Sequence, residues 1–230
     1  MGRILRRLGV MLSALVIISG LAPASAAAKV GLLPGTPLYF KGGGSCSLGF
    51  LASNDRGDRL AVTAGHCAKG TGQAVVSAKG NPIGEVVSWL NDDMDNSRWG
   101  VTLIYLSKNT YTADAYFVTY GNPSVGDGVK KYGKRTDKTE GKITKVSIDS
   151  DSPSHSRMES TLVGLEGDSG SAWVGGDDNG NPKLLGLNIG YTHRADGGYG
   201  YAIGYPIRQL IKSVRNGSAK WGAGFTPVGP

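Results

Sequence analysis

The chain has 230 residues, 37 of them glycine and two cysteine, and a formal net charge of +7. Hydrophobic residues, at 40%, are too many for a disordered chain, and charged residues, at 19%, are too few for a coiled coil. Glycine exceeds twice its usual share of about 7% without a G-X-Y period, which excludes collagen and favours short strands joined by tight turns.

Met1 to Ala26 carries Arg3, Arg6 and Arg7, then an apolar run from Leu8 to Ala22, and ends in Ala24-Ser25-Ala26. That is the order of a secretory signal peptide. The apolar run is shorter than the ~20 residues a spanning helix needs, which favours cleavage over a retained anchor. Cleavage after Ala26 leaves 204 residues, and with three arginines gone 22 basic residues face 18 acidic ones, a net charge of +4. The mature chain is expected to be extracellular, off the membrane and monomeric. Export permits a disulfide between the only cysteines, Cys46 and Cys67, the alternative being two buried thiols. A bridge closing that loop is worth about 3 kcal/mol.

Beyond the leader the pattern is strands. Apolar or β-branched runs occupy Ser47–Ala52, Leu60–Ala64, Ala74–Ser77, Ile83–Trp89, Trp99–Leu106 and Ala115–Thr119. They continue at Val129–Tyr132, Ile143–Ile148, Ser171–Val174, Leu184–Ile189 and Tyr199–Ile203. Gly, Pro, Asn and Asp clusters separate them, as in an all-β barrel or sandwich. One helix is expected after Pro206, with Ile207, Leu210, Ile211 and Val214 on one face and Gly217 past its end. The turn-rich stretch at Gly121–Gly126 suggests two halves, 27–120 and 121–230.

Two segments carry chemistry. Leu60-Ala-Val-Thr-Ala-Gly-His-Cys67 ends a strand on His66, beside a cysteine that can pin the turn. Glu166-Gly-Asp-Ser-Gly-Ser171 flanks Ser169 with glycines, which present the hydroxyl and leave room for N–H groups to face an oxygen. A serine is a weak nucleophile until a base takes its proton, and His66 is the one histidine on such a structured turn. Nothing else points to a cofactor: the two cysteines and three histidines have no zinc spacing, and no phosphate-cradling or nucleic-acid-binding motif is present. The basic run from Lys130 to Lys145 reads as a solvated hairpin.

Thr63-Ala-Gly-His-Cys67 and Gly167-Asp-Ser-Gly170 resemble the two signatures of chymotrypsin-like serine peptidases, in the same order. Cys46-Ser-Leu-Gly-Phe50, Gly133–Gly141 and Gly200–Pro206 are similar to the secreted bacterial branch of streptogrisin and α-lytic protease. The resemblance implies two antiparallel six-stranded β-barrels and a C-terminal α-helix, acting on proteins or peptides without metal or organic cofactor. It implies Ser169 as nucleophile, His66 as general base and then acid, and the N–H groups of Gly167 and Ser169 as oxyanion hole. Asp168 would support the oxyanion loop by pairing with an internal cation, Lys134 or the adjacent Arg135. The family places its third residue, an aspartate, directly before an apolar strand, but here Arg98 precedes Trp99–Ile104. A bulged chain would bring up Asp95, or failing that Asp93, from the group that also holds Asp92. Val163, six residues before the nucleophile, would form the base of the P1 pocket, implying a small or apolar P1 residue. Because Arg98 stands where the acid is expected, an exported binding protein of the same fold is a second reading, and an esterase using the same chemistry a third.

Overall fold

The computed structural model describes residues 29–229, so the leader through Ala26 lies outside the described residues. The N-terminal strands are β1 (Val30–Leu32), β2 (Pro37–Phe40), β3 (Ser45–Ser47), β4 (Phe50–Ser53), β5 (Leu60–Ala64), β6 (Ala74–Val76), β7 (Pro82–Leu90), β8 (Val101–Leu106) and β9 (Thr110–Thr112). The C-terminal strands are β10 (Thr119–Tyr120), β11 (Gly128–Gly133), β12 (Asp137–Ser147), β13 (Arg157–Ser160), β14 (Ala172–Gly176), β15 (Pro182–His193) and β16 (Tyr199–Pro206). Helices α1 (Ile207–Gly217) and α2 (Ala219–Gly222) and strand β17 (Thr226–Pro227) complete the chain.

In the C-terminal half, β15-β14-β11-β12-β13-β16 runs as one ladder, and β16 pairs back onto β15, closing a six-stranded barrel. The N-terminal sheet, β17-β4-β5-β8-β7-β6-β2-β3, has no closing ladder. It comes round through the chain itself, which runs from β3 through Leu48 and Gly49 directly into β4. β5 is buried at all five positions, as expected of a strand without polar alternation. Helix α1 buries Ile207, Leu210, Ile211 and Val214, the face its spacing implies. Asn122 anchors its first turn, accepting from Arg208 N–H at 3.0 Å and donating to Gln209 Oε1 at 2.6 Å. Among the described residues no helix is long and apolar enough to cross a membrane.

Strand register gathers three segments of the first barrel. Val101 pairs with Ala64 of β5 on one side and with Leu90 of β7 on the other. The chain segments leaving this row, toward Gly65-His66, Asn91-Asp92 and Gly100, therefore emerge together at one sheet edge.

Candidate active site

At that edge His66 sits on a single 3₁₀ turn, Gly65–Cys67, beyond β5. Two bonds fix the turn through the Gly65 carbonyl, which accepts from Trp89 Nε1 at 2.9 Å and Thr102 Oγ1 at 3.3 Å. Cys67 is bonded to Cys46, as the cysteine count suggested. His66 Nδ1 hydrogen-bonds Asp92 Oδ2, while Asp92 Oδ1 accepts from Gly100 N–H. The Asp92 side chain is 2% exposed and that of His66 38%. A carboxylate at Nδ1 selects the Nδ1–H tautomer and leaves Nε2 as the free acceptor.

The carboxylate at the ring is thus Asp92, and not Asp95 or Asp93. Asp93 and Arg98 exchange backbone hydrogen bonds at 2.8 and 2.9 Å, pinching residues 93–98 off as a small hairpin. Asp95 is exposed on that excursion. Asp93 bonds Asn96 and Arg98. The Asn96 amide, above all, holds the Asp93 carboxyl below its ordinary range. With the hairpin looped out, Asp92 adjoins Trp99-Gly100 and the strand after it, and Arg98 points its charge at Asp93 instead of the imidazole.

Ser169 lies on a tight turn from the second barrel, with Asp168 N–H bonded to Leu165 O (2.9 Å) and Ser171 N–H to Asp168 O (3.0 Å). Gly167 has φ +98° and Gly170 φ +83°, values an L side chain rarely adopts. A Cβ on Gly170 would also collide with Thr63 Oγ1 and the Ser47 carbonyl. Among the described residues neither Gly167 N–H nor Ser169 N–H meets an acceptor within the protein. Ser47 clamps this turn to the first barrel: its N–H donates to Ser169 O at 2.9 Å and its hydroxyl to Gly167 O at 2.9 Å. His66, Gly167 and Ser169 line one cleft of about 670 Å³.

Asp168 supports the turn from behind, but its cation is Lys131 and not Lys134. Lys131 Nζ lies 3.0 Å from Asp168 Oδ2, and both side chains are fully buried. The hairpin tip between β11 and β12 adds Arg135 N–H (2.8 Å), Thr136 N–H (3.1 Å) and the Thr136 hydroxyl (2.7 Å). Burial alone would raise the Asp168 pKa, but the Leu165 N–H, the Thr136 hydroxyl and the Lys131 charge outweigh it and hold the carboxyl below its usual range. Burial pushes Lys131 down, and Asp168 only partly restores it. Lys134 contributes its backbone, donating from N–H to Ser47 Oγ at 2.9 Å. So Arg135 reaches Asp168 through its main chain, and neither basic side chain of the pair is the counter-ion.

No protein-family model matches the chain. Glutamyl endopeptidase 2 of Streptomyces griseus is 30% identical over 195 residues, covering 79% of this chain and 96% of that protein. The chain belongs to the chymotrypsin-fold serine endopeptidases. Serine protease 1 of Streptomyces fradiae is 27% identical to this protease over 186 residues, covering 78% of this chain and 50% of that protein. Solved folds agree: protease A of Thermobifida fusca superposes with a TM-score of 0.62 at 20% identity, over 87% of this protease and all of that chain. A glutamic-acid-specific serine protease described as using a histidine triad in substrate binding gives 0.61 at 22% identity, over 79% and 97%.

In this protease Val163 does not line the cleft. The residue is 40% exposed, and its carbonyl accepts from Thr139 Oγ1 at 2.7 Å. The cleft lining instead includes Leu165 and Tyr191. Tyr191 stacks on Tyr199, centroids 5.5 Å apart at 16°. The Tyr199 hydroxyl donates to Leu162 O at 2.9 Å and accepts from Gly164 N–H at 3.0 Å. Burial raises the Tyr199 pKa, which keeps the phenol protonated as that donor. Ser47, Asp92 and Lys131 are the residues whose roles sequence reasoning missed. For Lys131 a signal existed: Val129, Lys131 and Gly133 alternate onto the buried face of β11, so a lysine there requires a buried partner.

Proposed function

We propose that the protease is exported and cleaves peptide bonds through His66, Asp92 and Ser169, with small or apolar residues at P1. The observation that carries this reading is the buried Asp92 carboxylate on His66 Nδ1, in the cleft His66 shares with Ser169. Ser169 Oγ attacks the scissile carbonyl as its proton passes to His66 Nε2. The carbonyl oxygen, now anionic, takes the Gly167 and Ser169 N–H groups, which are preorganised because no acceptor among the described residues competes for them. The imidazolium, held by Asp92, protonates the departing amine, and water activated by the same ring then releases the acyl group from Ser169.

The Tyr191–Tyr199 stack makes a stiff wall, and with Leu165 it suits a small or apolar side chain. A glutamyl preference, by analogy with the Streptomyces griseus relative, finds less support. The protease has three histidines, of which His66 is engaged by Asp92 while His155 and His193 are exposed. The Glu166 side chain on the cleft also repels an acidic P1 residue. Peptides differing only at P1 (Ala, Leu, Lys, Glu) test this through kcat/KM. Alanine or leucine is expected to exceed lysine and glutamate by at least tenfold; a Glu optimum overturns the P1 reading, and no hydrolysis of any peptide overturns the whole.

A further inference from the structure

Lys134 and Arg135 line the same cleft as Ser169, and neither side chain has a carboxylate partner among the described residues. Their position is fixed from below. The hairpin tip that bears them is tied to Asp168 by Arg135 N–H, Thr136 N–H and the Thr136 hydroxyl, and to Ser47 by Lys134 N–H. Lys134 Nζ lies 5.5 Å above the Tyr39 ring, which limits its wandering. Both residues also flank the Gly167–Ser169 turn: a Cβ on Gly167 would sit 3.6 Å from Arg135 Cβ and 3.9 Å from Lys134 Nζ.

His66 tells which side of the cleft this is. The imidazole gives its proton to the leaving amine, so the departing half of the substrate lies on the His66 flank of Ser169, where Cys67 and the bonded Cys46 also line the cleft. Ser45 adjoins Cys46 and pairs with Tyr39 across β2 and β3. Tyr39 is the ring under Lys134, and Ser47, on the other side of Cys46, is the hydroxyl that accepts from Lys134 N–H. The two cations therefore belong to the leaving-group side. Among the described residues Glu166 is the single carboxylate side chain on the lining, and the cations outnumber it.

We propose that Lys134 and Arg135 select substrates with an acidic side chain at P1′ or P2′, the first two positions after the scissile bond. This rests on Ser169 and His66 being the catalytic pair. The test is a peptide set with one fixed P1 residue and Glu, Gln or Lys at P1′ and, separately, at P2′. Exposed charge pairs are individually modest, so the wild type should favour Glu over Lys by about fivefold in kcat/KM at one of the two positions. The preference should shrink as salt rises toward about 0.5 M. In Lys134→Glu/Arg135→Glu the ratio should invert, and in Lys134→Gln/Arg135→Gln it should fall to about one. The ratio within each variant cancels any general loss of activity or folded fraction. Equal rates for Glu and Lys peptides, or a preference that survives both double variants, overturns the proposal. So does an acid preference confined to P1. Reaction of wild-type Ser169 with a small phosphonate, which needs no leaving-side residues, shows separately whether the catalytic reading stands.

Discussion

Replacing Asp92 by asparagine is expected to lower kcat by about 10⁴ while the protease stays folded. The carboxylate accepts from His66 Nδ1–H and from Gly100 N–H. An asparagine keeps the second contact but can turn its amide toward the ring, which then carries its proton on Nε2 and cannot receive one from Ser169. It also removes the negative charge that stabilises the imidazolium. Asp93→Asn and Asp95→Asn should change kcat less than about twofold, because Asp93 bonds Asn96 and Arg98 and Asp95 is exposed on the same excursion. Equal unfolding midpoints for the three variants would assign the loss to chemistry. If Asp95→Asn instead gave the large loss, the assignment of Asp92 would fail.

The second large effect is on stability. Lys131→Met strands the fully buried Asp168 without its cation and should cost about 3–5 kcal/mol in denaturant unfolding, with loss of activity as the Gly167–Ser169 turn loosens. Lys134→Met and Arg135→Met should each cost under about 1 kcal/mol, since their side chains do not reach Asp168. The pH dependence has a definite sign. Asp168 is depressed in the folded state, so its contribution is complete above the ordinary carboxylate range and is lost as pH falls through its lowered folded value. Lys131 is depressed too, so in the interval below the ordinary lysine range the folded protease binds fewer protons than the unfolded chain. That titration by itself should therefore raise, not lower, stability as pH climbs through the interval, which unfolding midpoints measured across alkaline pH would check.

Much of the fold and of the candidate site is legible in the residues. His66 and Ser169 sit on short signatures whose glycines are demanded by backbone geometry, and the apolar face of α1 recurs at helical spacing. Strands of three residues, such as β1 and β9, are too short to show a period. Arg157-Met-Glu-Ser160 conceals β13 because Glu159 and Ser160 are buried polar residues. The run Ala115–Thr119 is mostly irregular, with Tyr116 at φ 60°, and joins a strand only from Thr119. Asp92 is obscured by topology: counting back from the apolar run that starts at Trp99 lands on Arg98 until the bridge between Asp93 and Arg98 is known. Lys134 stands at the matching place in the Gly133–Gly141 motif, whereas strand alternation at Val129 and Lys131 holds the better clue.

Activation of Ser169 by His66 is the step on which the whole proposed mechanism depends. Its direct measurement is labelling of the folded protease with a fluorophosphonate, with the adduct located by peptide mass spectrometry. One label per chain is expected, on Ser169, and none in His66→Ala. A folded wild type that takes no label, or takes it on another residue, would contradict the mechanism.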